Sequence, residues 1–333
     1  MTFYKSDPVF EKLLRDCANP NYELAMAAQH LYAQAVEATI RKGVLVGDIL
    51  RIFYTQMNTN QDFLEFKIDM LQPGEEDEYL AYTIPATGKI PESHIEGDYV
   101  RIPLYQVGNA IDWDLKFSER GETFQIGRVN EIFQAGFTKK MNDDGMQVLI
   151  AAAADRNVLI YDADAAAGQF TKRVISLAKI AMKRNGGGNS ASVKRSKLTD
   201  VLISPEAEED VRGWGLDQIP DAVRTRIYDA NDGSNELLDI YGVLLHPLDE
   251  FGEGQVYQDF YTNGLGASLQ ASDVELAIGV DLMNKDAFLM PIRENVQVFN
   301  DMTKHRERKQ GIYGWAENGF ACLDSRRVIA ISF

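Results

Sequence analysis

Catalysis or metal binding would have to be built from four histidines, two cysteines and 50 carboxylates, and their spacing decides what chemistry is open to the chain. His30, His94, His246 and His305 are scattered, and none stands in the His-Glu-x-x-His pattern that presents two zinc ligands from one helix face. Each reads as a surface or packing histidine. Asp229-Ala230-Asn231-Asp232-Gly233 opens like a calcium loop, but its glycine comes one position early and Ile240 stands where a bidentate glutamate is needed. A polar turn is the better reading. Gly266-Ala267-Ser268-Leu269-Gln270 lacks the final glycine of a nucleophile elbow. Gly186-Gly187-Gly188 has basic neighbours but neither a Gly-Lys-Ser/Thr ending nor a strand directly before it, so it does not make a phosphate loop. No spacing singles out a general acid and base among the carboxylates. The sequence therefore designates no catalytic, cofactor-binding or metal-binding residue, and no cofactor is expected.

Charge is more informative. The 333 residues carry 34 Lys and Arg against 50 Asp and Glu, a formal charge of −16, which opposes bulk adhesion to DNA or to an anionic membrane. The imbalance is segmental. Between Asp62 and Asp98 ten acidic residues face two basic ones, Lys67 and Lys89, a net of −8. From Gly168 to Thr199 eight basic residues and no acidic one give +8. Solvated faces are the plain reading of both. The alternative is that the acidic loop at Glu75, Glu76, Asp77 and Glu78 meets Lys179, Lys183 and Arg184 between subunits, setting register in an assembly. Cys17 and Cys322 lie near opposite ends and cannot form a multi-bridge framework, so a reducing cytoplasm fits best. The N-terminus lacks a signal-peptide layout and no apolar run reaches the ~18 residues of a membrane span. A soluble, non-exported chain is expected.

The elements that would carry these groups follow from periodicity. Asp7-Pro8 opens a short helix that Asn19-Pro20 ends, and a second, alanine-rich helix has a shallow stripe of Leu24, Ala28, Leu31, Ala35 and Ala38 and a stop at Gly43. Such a helix lies either on a larger body or against a partner chain. Strand-like pieces follow at Ile49 to Tyr54 and Phe63 to Ile68, then alternation through Val100, Ile102 and Leu104, and through Ile111, Trp113, Leu115 and Phe117. After Gly121 the period becomes helical, with Ile126, Val129, Phe133, Phe137, Met141 and Val148 on one stripe over roughly 30 residues, about 45 Å. Gly127, Gly136 and Gly145 interrupt it, each costing about 1 kcal/mol relative to alanine. They either admit a close neighbour or let the helix bend. An amphipathic helix around Val174, Leu177, Ala178 and Ala181, a buried strand at Val201-Leu202-Ile203, a capped helix from Ser204-Pro205-Glu206 and mostly strands beyond Val243 complete an α+β chain.

The order of these pieces resembles the major capsid (major head) proteins of tailed double-stranded-DNA bacteriophages, whose fold is shared with encapsulins. The stretches carrying the resemblance are Ile84-Pro85-Ala86-Thr87-Gly88-Lys89-Ile90-Pro91 leading through Asp98-Tyr99-Val100-Arg101-Ile102-Pro103-Leu104 to Ala110-Ile111-Asp112-Trp113, then Gly311-Ile312-Tyr313-Gly314-Trp315-Ala316-Glu317-Asn318-Gly319 and Asp324-Ser325-Arg326-Arg327-Val328. The resemblance implies an N-terminal arm at 1–45, an extended loop at 46–98, a peripheral domain at 99–164 and 291–333 with a spine helix at 121–154, and an axial domain at 165–290. It also implies a non-enzymatic, self-assembling protein of the virion, built in the host cytoplasm as hexamers and pentamers of an icosahedral shell around double-stranded DNA. Its implied partners are further copies of itself, a scaffolding protein, a portal, packaged DNA as non-specific content and a decoration protein, with no membrane. In this setting Gly127, Gly136 and Gly145 would give the spine flexibility when a shell expands. The other readings are an encapsulin-type cargo shell and, in a different class, a cytoplasmic α+β enzyme with an unrecognised carboxylate site.

Overall fold

Proline at a first helical position and small polar caps set the opening of the chain. In the structure, a computed structural model describing residues 8–47, 50–67, 99–185, 196–214, 238–271, 273–283 and 285–333, Pro8 begins helix α1 (Pro8–Cys17). Asn21 Oδ1 accepts from the Glu23 amide at 3.1 Å and so caps α2 (Tyr22–Gly47). α2 runs through Gly43 instead of stopping there. A Cβ on Gly43 would lie 2.1 Å from Oε1 of Gln134, so this glycine serves close approach and not termination. The segment expected as a strand from Ile49 begins as a helical turn, α3 (Leu50–Phe53), because Leu50 and Phe53 are both fully buried at helical spacing. Strand β1 (Thr55–Asn58) follows it, then β2 (Phe63–Lys67), β3 (Tyr99–Pro103) and β4 (Tyr105–Asp114). Alternation had extended the last of these to Phe117. Instead Leu115 and Ser118 are buried three residues apart on α4 (Leu115–Arg120), which ends at Gly121 with φ 65°.

The long helix is α5 (Thr123–Asp155), unbroken over its 33 residues. After β5 (Leu159–Ile160) come α6 (Lys172–Asn185), β6 (Asp200–Ile203), α7 (Pro205–Gly213), β7 (Leu238–Ile240) and β8 (Val243–Pro247). Helical turns at Val256–Asp259 and Phe260–Gly264 precede β9 (Leu276–Val280), β10 (Phe288–Asn300), β11 (Lys309–Asn318), β12 (Ala321–Cys322) and β13 (Val328–Ser332).

Two compact units result. The first comprises Met1–Glu65, Arg101–Gly145 and Met290–Phe320. Its sheet has the order β1-β10-β11-β4, and β11 pairs with β4 without a break from Lys309↔Asp114 to Asn318↔Tyr105. Ile292, Val296, Val298, Ile312 and Ala316 are buried, as are Ile126, Phe133, Phe137 and Met141 of α5. Gly314 admits the helix to the sheet, since a Cβ there would lie 3.1 Å from Phe133 Cζ and 2.5 Å from the Gln297 carbonyl.

The second unit comprises Phe66–Val100, Met146–Leu289 and Ala321–Phe333. Its mixed six-stranded sheet has the order β5-β13-β9-β6-β8-β7, with β6 and β8 parallel and β9 antiparallel to both β6 and β13. Every residue of β6, β9 and β13 is buried, as expected of strands covered on both faces. Phe170, Val174, Ala178 and Met182 around and along α6 join Val201, Ile203, Ile329 and Phe333 in one core. The closing strand β13 pairs with β9 and β5 in this sheet.

Candidate assembly surfaces

α6 forms because its apolar residues recur at helical spacing: Val174, Ile175, Ala178 and Met182 are buried, and Leu177 and Ala181 are half-buried. The basic residues occupy the remaining surface. Arg173 pairs with Asp164 and lies 3.5 Å from Asp162. Lys179 donates from Nζ to the Tyr241 carbonyl at 2.5 Å, where Tyr241 has φ 55° in the β7–β8 turn. Lys183 and Arg184 are exposed in the last turn, where cations complement the helix dipole. Of the three residues expected at a subunit contact, Lys179 therefore has an intrachain role and Lys183 and Arg184 face solvent. Glu75, Glu76, Asp77 and Glu78, the Gly186-Gly187-Gly188 loop and the 229–233 turn lie outside the described residues.

The three glycines of α5 occupy different surroundings. Gly127 is buried. Gly136 is exposed beside Asn109, whose Nδ2 would lie 2.8 Å from an added Cβ. Gly145 is buried under Leu50, whose Cδ1 and Cδ2 would lie 2.5 Å and 2.7 Å from an added Cβ, and its carbonyl accepts from the Tyr54 hydroxyl at 2.8 Å. Close packing accounts for Gly145.

The stripe of α2 is the clearest difference from expectation. Its inward face is Ala25, Ala28, Tyr32, Ala33, Val36 and Ile40, so only Ala28 of the expected five is buried. Leu24 and Leu31 are 57% and 54% exposed, and Ala35 and Ala38 are exposed with them. The helix is apolar on two adjoining faces and its own chain covers one.

Buried polar groups in the second unit were not singled out by spacing. His246 Nε2 on β8 lies 2.7 Å from Asp200 Oδ1 on β6, both side chains buried. Asp281, fully buried, accepts from Arg327 Nη1 at 2.5 Å and from the Lys197 and Met283 amides at 3.1 Å. Burial works to raise the Asp324 carboxyl, but hydrogen bonds and charge from Arg326, with Arg327 behind, hold it below the usual range. Burial raises Glu275; the Ser204 hydroxyl opposes this, and Glu206, Asp210 and Glu253 add to it. Each set holds one strand or helix end in place. Among the described residues no group of three or more His, Cys, Asp or Glu could hold a metal ion. Cys17 and Cys322 are free thiols, each pushed up to about 12 by burial. Among the described residues no helix is long and apolar enough to cross a membrane.

No known family profile matches the chain, and no curated protein matches it in sequence. Solved structures do match in fold. A chain from Microbacterium phage Oxtober96 superposes with a TM-score of 0.55 at 12% identity, covering 86% of this chain and 90% of that one. A chain of the capsid asymmetric unit of cyanophage Pam1 gives 0.54 at 12% identity, over 84% and 88%. A chain of the head structure of Helicobacter pylori bacteriophage KHP40 gives 0.53 at 10% identity, over 84% and 86%. The chain has the α+β fold of phage capsid and head chains.

Proposed function

We propose that this chain is a structural, non-enzymatic capsid protein that associates with further copies of itself into the shell of a virion. The observation carrying this reading is the extent of the fold agreement, 84% of this chain and 88% of the cyanophage Pam1 capsid chain. Such a shell would be icosahedral, made of hexamers and pentamers, enclose double-stranded DNA and be assembled in the host cytoplasm with a scaffolding protein, a portal and a decoration protein. A formal charge of −16 suits a wall that does not grip DNA and so lets it pack densely. In this reading 1–45 is the arm, 46–98 the loop reaching a neighbour, 99–164 and 291–333 the peripheral domain, and 165–290 the axial domain. Lys183 and Arg184, with Lys179 behind them, would receive the acidic loop at Glu75 to Glu78 of an adjacent subunit. Gly127 and Gly136 would be where the spine helix yields when a shell expands.

Electron microscopy of the purified chain, with and without lysate from an infected host as a source of scaffold, tests the reading. Closed shells or hexameric capsomers are expected. A persistent monomer under both conditions overturns it, and particles that copurify with an enzyme in place of DNA would mark a cargo shell.

A further inference from the structure

The outward stripe of α2 is apolar and exposed. Leu24, Ala27, Leu31, Ala35 and Ala38 follow one another at steps of three or four residues, all exposed, with Lys42 continuing the line. Glu23, His30, Gln34, Glu37 and Arg41 flank the stripe on one side, His30 and Gln34 joined at 3.1 Å and Arg41 and Glu37 at 2.6 Å. Two leucines more than half exposed on one helix face, in a row of alanines that lets another backbone approach, call for a helical occupant.

We propose that the occupant is α2 of a second copy of this chain, the two helices running antiparallel about a two-fold axis at Leu31. In this register Leu31 meets Leu31, each Leu24 sits over the Ala38 of the other copy, and Ala27 faces Ala35, so that large and small residues alternate across the seam. Charge selects the direction. Antiparallel pairing puts the two polar flanks on the same side of the seam and sets Glu23 beside Arg41 and Lys42 of the second copy and His30 beside its Gln34, whereas parallel pairing would put the two flanks on opposite sides of the seam, where these groups do not meet. The contact is small. The helix is about 39 Å long and about 10 Å wide, so one face supplies well under the ~800 Å² per partner of a stable interface. It therefore works where many copies are held together and is reversible for the free chain. It needs two copies only, and does not depend on the shell reading.

Cysteine crosslinking tests the register, because an interaxial distance of ~8 Å between helices of about 2.3 Å Cα radius brings facing residues within disulfide reach. Single variants L31C, L24C and A38C and the double variant L24C/A38C, all at exposed positions, would be oxidised mildly in concentrated chain and in any particles formed. L31C and L24C/A38C should give covalent dimers, and L24C or A38C alone should not. E23K should lower the L31C dimer yield several-fold, and adding K42E should restore it. Circular dichroism and melting temperature establish that each variant is folded. Equal dimer yields from all three single variants would mean a parallel pair and overturn the proposal, as would folded L31C that yields no dimer. Particles that form without L31C dimers would sink the pairing and leave the shell reading standing.

Discussion

The two units bury polar groups of different kinds. In the first, most of the buried pairs among the described residues are neutral: the Tyr32 hydroxyl with Asn130 at 2.8–3.1 Å, Asn300 with Gln29 at 3.2 Å, and Ser118 with Gln310 at 2.6 Å, while one buried carboxylate, Glu317, accepts from Arg293 at 3.3 Å. In the second they carry charge: Arg327 on Asp281, His246 beside Asp200 and Ser204 on Glu275. A neutral pair that loses a partner leaves a penalty of about 1–3 kcal/mol, whereas a broken buried ion pair costs about 3–5. Charge thus ties the second unit to one strand register and to pH. The first unit keeps its register with weaker ties and leaves an apolar helix face open.

The widest gap between the units should come from Arg327→Met, which strands fully buried Asp281 and should destabilise by about 3–5 kcal/mol in chemical denaturation. The double variant with Asp281→Leu should recover most of that loss. If it does not, the pair is holding more than its own charges. Next is the first unit's tightest seam. Gly145→Ala forces a methyl against Leu50 and should cost about 1–3 kcal/mol despite its better helix propensity, while Gly136→Ala meets only the movable end of Asn109 and should be neutral to about 1 kcal/mol stabilising. Equal effects at both sites would remove the distinction between packing and yielding glycines. Tyr32→Phe, which leaves buried Asn130 short of a partner, should cost about 1–2 kcal/mol by thermal denaturation.

Acid should separate the units by a smaller amount. Asp324 is held below its ordinary value, so its contribution is intact above the ordinary carboxylate range and is lost as pH falls through the lower folded value. Glu275 is raised, so its charged form weighs on the fold and stability falls as pH rises through its folded value. Glu275→Gln should therefore raise the melting temperature slightly at pH 8 and leave it unchanged at pH 4. A gain of equal size at both would show that the charge of Glu275, disfavoured by burial and by Glu206, Asp210 and Glu253, is not the cause.

Elements with strong local signals were legible in the sequence. α5 and α7 fall where Gly121 and Ser204-Pro205 placed them, and β6 where the continuous apolar run Val201-Leu202-Ile203 did. Short-range misreadings came from residues obeying two periods at once. Leu115 and Phe117 continue an alternation yet start α4, and Leu50 to Phe53 reads as a strand yet makes one buried turn. For α2 the stripe of Leu24, Leu31, Ala35 and Ala38 is real, but the sequence could not say which apolar face its own chain covers. The Asp281–Arg327 pair was illegible because the partners are 46 residues apart and meet only when β9 and β13 pair.

Cys17 and Cys322 place one silent thiol in each unit. Both thiols are held in the protonated, poorly nucleophilic form at neutral pH, one in Met1–Glu65 and the other in Ala321–Phe333. A thiol reagent can then reach buried Cys17 only as fast as the first unit opens, whereas at half-buried Cys322 the small thiolate fraction sets the rate, so labelling of Cys17 in the unaltered chain clocks the fluctuations of its own unit.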